Sequence, residues 1–129
     1  MSTGKTSFQD DVLRLYAVIR NDLGMEKGKC AAMAGHGFLG SFLQAQSLTP
    51  EVASLYSSDL PGTKICLSAD LAGIERAQAE LQEAGIPHYL VVDEGCPNFF
   101  GGQPIITALG FGPAIREQVK PITKRFNLL

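Results

Sequence analysis

Cysteine is scarce in this sequence of 129 residues, and its spacing excludes two classes of protein. The three cysteines, Cys30, Cys66 and Cys96, lie far apart, and no Cys-x-x-Cys pair occurs. A disulfide framework needs an even set of cysteines, and a structural zinc site needs paired ligands. We therefore expect neither a disulfide-stabilised secreted domain nor a metal site.

Long hydrophobic runs and biased segments are also absent. The longest apolar stretches, such as residues 105–112, are far shorter than a membrane-spanning helix of about 20 residues. The first residues are polar and lack the apolar core of a signal peptide. Charged residues make up 19% and hydrophobic residues 45% of the chain, which favours a folded domain over a disordered chain. We expect a cytoplasmic, non-membrane protein with a flexible segment at residues 1–12 and one domain at residues 13–129.

The net charge of −2 is unevenly distributed along the chain. Between residues 31 and 112 the only lysine and arginine are Lys64 and Arg76, against eight acidic residues, whereas both ends are basic. Such clusters usually form a solvated surface, although one basic face is enough to bind nucleic acid. Charge alone therefore does not identify a partner.

Strand and helix patterns alternate along the chain. Asp70 is expected to cap the third helix, Gly85 to end it, and Gly112-Pro113 to open the last one. The alternation predicts an α/β fold, in a single domain with a mixed four-stranded β-sheet and helices on both faces. The predicted strands are residues 13–20, 64–67, 88–92 and 105–111, and the predicted helices are residues 26–46, 50–57, 71–84 and 114–120.

Two glycine motifs resemble nucleotide-binding loops but lie in the wrong context. The segment Gly35-x-Gly37-x-x-Gly40 matches the Gly-x-Gly-x-x-Gly motif of dinucleotide-binding proteins, but it lies within a helical pattern rather than after a strand. Gly4-Lys5-Thr6 lacks the earlier glycine and the preceding strand of a phosphate loop. We interpret the helical glycines as positions where a helix approaches the sheet closely, and we expect no cofactor.

One stripe of the first long helix carries polar residues, although the helix is otherwise apolar. At 100° per residue, Lys29, Met33, His36 and Gly40 fall within about 60° of one another on the helical wheel. A buried cation requires a partner, so this stripe predicts an opposite charge nearby.

Asp93 is the best candidate for that partner, because it ends a predicted strand and precedes a glycine-rich loop. Sites in open α/β sheets form beyond the carboxyl ends of strands. Thr107 lies near the other end of the same loop. From the residues alone, three ordinary explanations stay open: a core histidine at His36, a turn-capping acid at Asp93 and a plain strand residue at Thr107.

The order of several segments resembles the archaeal and eukaryotic type of peptidyl-tRNA hydrolase. The resemblance covers nearly all of residues 16–129, and its opening motif and its Gly-Pro block are specific. The matching segments are Arg20-Asn21-Asp22-Leu23-Gly24-Met25, Lys27-Gly28-Lys29-Cys30-Ala31-Ala32, His36, Asp93-Glu94-Gly95, Thr107-Ala108-Leu109-Gly110-Phe111-Gly112-Pro113 and Ile122-Thr123-Lys124-Arg125-Phe126-Asn127-Leu128.

The resemblance implies hydrolysis of the ester that joins a peptide to the 3′ end of tRNA. Asp93 would orient the site and assist deprotonation of water, directly or through His36. Lys29 would stabilise the developing negative charge, and Thr107 would position water or substrate. The implied substrate-binding residues are Arg20, Lys27, Met33 and Gly95, and the C-terminal basic residues are further candidates for phosphate contacts.

The sequence also departs from the family pattern. The family usually has Gln where Met33 stands and Thr where Pro97 stands, Phe99 and Phe100 replace smaller residues, and the loop between Asp93 and Thr107 is about two residues longer. One alternative is therefore a weakly active or non-catalytic binding or regulatory protein on the same scaffold. A second is a thiol-dependent acyl hydrolase with Cys96 as nucleophile. Whether the chain forms a homodimer is left open.

Overall fold

A short, almost wholly apolar run forms the central strand of the sheet. In the computed structural model, which describes residues 12–94 and 100–129, strand β1 is Arg14–Arg20, and its five inner residues are buried. Tyr16 and Val18 pack on one face of the sheet, whereas Ala17 and Ile19 pack on the other. Because side chains alternate along a strand, both faces of β1 need cover, and helices supply it.

The remaining elements follow the alternation that the sequence predicts. The helix α1 covers one face of the sheet, and α3 and α4 cover the other. The elements after β1 are α1 (Lys27–Leu48), α2 (Pro50–Ser57), β2 (Thr63–Ala69), α3 (Leu71–Ala84), β3 (His88–Asp93), a 3-10 turn (Phe100–Gly102), β4 (Ile105–Ala114), α4 (Arg116–Thr123) and β5 (Asn127–Leu128).

The sheet order places three strand ends beside one another. The order is β3-β4-β1-β2-β5, with β1 parallel to β2 and with β4 antiparallel to both β1 and β3. The strands β1, β2 and β3 therefore run in the same direction, and their carboxyl ends meet at one end of the sheet. This is the end where sites form in such folds, and the residues there are Arg20, Ala69 and Asp93.

A pair of glycines lets α1 lie directly on β4. A Cβ atom added to Gly110 would lie 2.0 Å from the carbonyl oxygen of Gly37, and one added to Gly37 would lie 3.2 Å from the Gly110 backbone. The buried residues of α1 are accordingly small apart from one methionine. The interpretation of the helical glycines as a point of close approach agrees with this packing.

The capping predictions for α3 are confirmed. The Asp70 side chain accepts a hydrogen bond from the Gly73 N–H at 2.8 Å. Gly85 ends the helix in the left-handed region with φ of 71°.

The α/β class is confirmed, but two details of the prediction are wrong. The sheet has five strands rather than four, because the two-residue strand β5 pairs with β2 and is too short to show a period. Gly112-Pro113 does not open the last helix. Gly112, with φ of 100°, forms an irregularity that lets β4 continue to Ala114, which pairs with Arg14.

Some of the predicted features lie outside the residues that the structure describes. The expected flexible segment at residues 1–12 lies outside the described residues except for Val12, and so do Gly95, Cys96, Pro97 and Phe99. Among the helices of the described ranges, none combines the length and the apolar character needed to cross a membrane.

We expect Gly110→Ala to lower the free energy of unfolding by about 3 kcal/mol, because its Cβ atom would collide with backbone that cannot move aside cheaply. Gly35→Ala is the matched control, since a Cβ atom there meets nothing within 4 Å. That change should raise stability by up to about 1 kcal/mol by reducing the freedom of the unfolded chain. Urea unfolding of both variants measures the difference, and equal midpoints would contradict the close packing.

Candidate active site

The clearest feature at the carboxyl end of the sheet is an ion pair between α1 and β3. The Nζ of Lys29, in the first turn of α1, donates a hydrogen bond to Oδ2 of Asp93, the last residue of β3. The side chains are only 16% and 8% exposed, respectively. Charges that are so far withdrawn from water depend on each other, because either one alone would lack its compensating partner.

This ion pair lines an open cavity of about 230 Å³. His36 and Met33, two turns and one turn further along α1, line the same cavity. His36 is exposed, and Met33 is buried. Three of the four residues of the predicted helical stripe therefore face one solvent-accessible space together with the strand-end acid, whereas Gly40 does not line it. The space is lined by a cation, a carboxylate and an imidazole.

Thr107 lies beneath this cavity rather than in its wall. Its side chain is fully buried, and its hydroxyl contacts the Sδ of Met33 at 2.9 Å and the carbonyl oxygen of Val91 at 3.4 Å. A methionine sulfur accepts hydrogen bonds weakly and donates none. The threonine therefore orients Met33 from below.

Arg20 is near the same end of the sheet but is held by the protein. Its guanidinium makes two hydrogen bonds to the carboxylate of Asp22, at 3.0 and 2.9 Å, and one to the carbonyl oxygen of Ile106 at 3.1 Å. The hydrogen bond from Arg20 lowers the pKa of the Asp22 carboxyl below its ordinary value. Arg20 thereby ties β1 to the start of β4, next to Thr107.

The other basic candidates separate into two groups. Lys27 is exposed at the first residue of α1, two residues before Lys29, which lines the cavity. The C-terminal basic residues belong to the region of α4, whose Val119 packs on the face of the sheet opposite α1. There Arg125 pairs with Glu80 of α3, with N–O distances of 2.5 and 3.3 Å. Lys27 is thus close to Lys29 along the chain, whereas the C-terminal group belongs to the region of α4.

Sequence reasoning missed three residues that line the cavity: Val91, Val92 and Glu94. The available signal was that they lie next to Asp93 at the end of a strand. Side chains of adjacent strand residues normally point to opposite faces of the sheet, so the sequence does not predict that Val91 and Val92 line the same cavity. A register irregularity between Val91 and Val92 explains why they do.

Neither thiol nor metal chemistry has support in the described part of the chain. Within the described ranges, no group of three His, Cys, Asp or Glu side chains could hold a metal ion. Burial raises the pKa of the Cys66 thiol, which disfavours the reactive thiolate. Cys96, the nucleophile of one alternative, lies outside the described residues.

A mixed sheet that places a lysine–carboxylate pair and an exposed imidazole around one open space defines an α/β protein suited to acid–base hydrolysis. Comparison with known proteins narrows this class. The family model described as "Peptidyl-tRNA hydrolase PTH2" matches residues 13–129. The chain belongs to this family.

Individual relatives agree with the family match. A peptidyl-tRNA hydrolase of Methanothermobacter thermautotrophicus is 37% identical over 117 residues, which cover 87% of this chain and 96% of that protein. A peptidyl-tRNA hydrolase of Methanococcus vannielii is 34% identical over 119 residues, covering 87% and 95%. A probable peptidyl-tRNA hydrolase 2 of Dictyostelium discoideum is 34% identical over 112 residues, covering 86% of this chain and 52% of that protein. These relatives favour hydrolysis over the alternative of a binding or regulatory protein.

We expect the ion pair to be energetically coupled. Lys29→Met and Asp93→Asn should each lower the free energy of unfolding by about 1–3 kcal/mol, because each leaves the partner's charge poorly compensated. The double variant should lose less than the two single losses combined. Urea unfolding of the four proteins gives the coupling energy. Losses that add within about 0.3 kcal/mol would show that the two side chains do not depend on each other.

Proposed function

We propose that this member of the peptidyl-tRNA hydrolase family cleaves the ester between peptide and tRNA in the cavity lined by Lys29, His36 and Asp93. The observation that carries the proposal is the Lys29–Asp93 ion pair, which opens onto the same space as the exposed imidazole. The substrate enters as peptidyl-tRNA, and the products are a free peptide and a free tRNA.

Ester hydrolysis needs a deprotonated water, a stabilised oxyanion and a protonated leaving group. The water oxygen attacks the ester carbonyl carbon, and the bond from that carbon to the ribose oxygen breaks. His36 takes the proton of the attacking water and returns it to the ribose oxygen, since imidazole exchanges protons readily near neutral pH. Lys29 stabilises the negative charge that develops on the carbonyl oxygen. Asp93 holds the ammonium group in position.

Met33 and Thr107 act as positioning residues in this proposal. Met33 forms the wall between the ion pair and His36, and the Thr107 hydroxyl contacts its sulfur from below. A direct contact between Thr107 and substrate would require Met33 to move aside, because Thr107 is fully buried. We therefore assign Thr107 to the support of the cavity wall.

The tRNA is proposed to approach from the start of α1. Lys27 is exposed there, and the amino-terminal end of a helix attracts anions such as phosphate. Arg20 stays a predicted phosphate contact, although its guanidinium already binds Asp22 and Ile106. Because peptidyl-tRNA arises on ribosomes, we propose that the protein acts in the cytoplasm.

We expect Asp93→Asn to lower kcat for peptidyl-tRNA hydrolysis by about 10²–10⁴-fold, because the amide holds Lys29 less firmly and cannot balance its charge. Asp59→Asn is the control, since Asp59 is exposed in a loop remote from the cavity residues, and its kcat should equal that of the wild type. The measurement is hydrolysis of one defined peptidyl-tRNA without added metal. A kcat of Asp93→Asn within a factor of about three of wild type would remove Asp93 from the mechanism.

We expect tRNA affinity to fall with salt despite the net negative charge. With about three phosphate contacts, the slope of log K against log salt should be about −2 to −3, and Lys27→Glu should flatten it by about one unit. Lys120→Glu is the control, because this exposed lysine lies on α4, on the other face of the sheet. Filter binding at several salt concentrations tests this. Equal slopes for the two variants would show that Lys27 contacts no phosphate.

A further inference from the structure

A second open space continues from the catalytic cavity along α1. This groove lies between α1 and the edge strand β3 and has a volume of about 450 Å³. His36, Val91 and Val92 line both the groove and the cavity. The groove therefore adjoins the cavity at these three residues.

The groove differs from the cavity in its chemistry. Its walls carry exposed apolar side chains from two elements, Leu39 and Leu43 of α1 and Tyr89 and Val92 of β3. Among the described residues that line it, none is Lys, Arg, Asp or Glu. A contiguous exposed apolar surface next to a reaction site is typical of a ligand-binding groove.

Glycine makes the groove's floor and fixes one of its walls. A Cβ atom at Gly40 would lie 2.2 Å from the Cδ2 atom of Tyr89, so the tyrosine ring packs directly against the backbone of α1. The ring is held by this contact and still remains partly exposed to the groove. A rigid aromatic wall provides contact area at little entropic cost when a ligand binds.

The tRNA and the peptide of the substrate require different binding surfaces. This difference indicates which of the two the groove binds. Phosphate groups of tRNA need cations, and the described groove lining offers none, whereas Lys29 lines the cavity and Lys27 begins α1. The peptide is the remaining part. From His36 to Leu43 the helix rises by about 10 Å, enough for about three residues of extended peptide.

The edge position of β3 suits a peptide of any sequence. In the described sheet, β3 pairs only with β4, so its outer edge carries backbone donors and acceptors that no other strand uses. An extended peptide can pair with such an edge through its main chain, independently of its side chains. The apolar walls then favour apolar side chains at particular positions.

We propose that the groove between α1 and β3 binds the last few residues of the peptide that is attached to tRNA, with a preference for apolar side chains beside Leu43 and Tyr89. The assignment rests on the proposed function, because it requires that the ester lies in the adjoining cavity. Another apolar cavity of about 370 Å³ lies between α1 and α2, but it shares no described lining residue with the catalytic cavity. It therefore does not adjoin the place where the ester is proposed to lie.

The test compares two substrates on the same tRNA. One carries N-acetyl-alanine, and the other carries N-acetyl-leucyl-leucyl-alanine, so that only the peptide beyond the ester-linked residue differs. We expect the wild-type kcat/KM to be about tenfold higher for the longer substrate, because burial of an apolar side chain of the peptide in the groove stabilises the bound substrate by about that factor. Leu43→Gln should bring the ratio of the two kcat/KM values close to one.

Leu48→Gln is the matched control, because Leu48 belongs to the same helix but does not line the groove. The two leucines are comparably exposed, at 53% for Leu43 and 62% for Leu48, so both variants should fold alike. The ratio for Leu48→Gln should equal that of the wild type.

Three results would overturn the groove assignment: a wild-type ratio near one, an unchanged ratio in Leu43→Gln, or equal ratios in the two variants. Failure of the wild type to cleave either substrate is a different outcome. It would overturn the proposed function itself, provided that the wild type shows a cooperative urea unfolding transition, which excludes misfolding as the cause.

Discussion

The contact between Gly37 and Gly110 is the constraint on which the candidate site depends. With no side chain at either position, the backbone of α1 rests on β4. About two turns before this contact Lys29 reaches Asp93, and one turn before it Met33 reaches Thr107. One turn after it, the backbone at Gly40 lies against Tyr89. Because packed interiors do not stretch, a larger residue at the contact would lift the whole helix and disturb the ion pair, the cavity wall and the groove together.

The same helix also divides the site by polarity. Its first turn carries Lys27 and Lys29 and the positive end of the helix dipole, whereas the turns beyond His36 expose Leu39 and Leu43. A peptidyl-tRNA has a matching division, since it is polyanionic on one side of the ester and carries a peptide on the other. In the proposed binding mode, α1 alone orients both parts of the substrate, and the ester lies between the basic first turn and the apolar turns beyond His36.

Much of this arrangement could be predicted from the sequence, because local chemistry specifies it. Asp70 and Gly85 delimit α3 through caps that act within one turn, and the helical stripe of Lys29 and His36 follows from helix geometry alone. The errors arise where distant contacts decide. The local sequence at Gly112 predicts the start of a helix, but β4 continues past it because Ala114 pairs with Arg14. The burial of Thr107 and the exposure of the groove depend on the distance between α1 and the sheet. A local sequence pattern does not determine this distance.

The geometry also separates the roles of the two groups that could accept a proton from water. The Asp93 side chain is only 8% exposed and is bound to the Lys29 ammonium group, so accepting a proton would weaken this ion pair. His36, by contrast, is exposed and lines the same cavity. We infer that the proton moves at His36 while the ion pair stays intact. In the proposed mechanism, Asp93 contributes by holding the Lys29 ammonium group at the cavity in which the oxyanion would form.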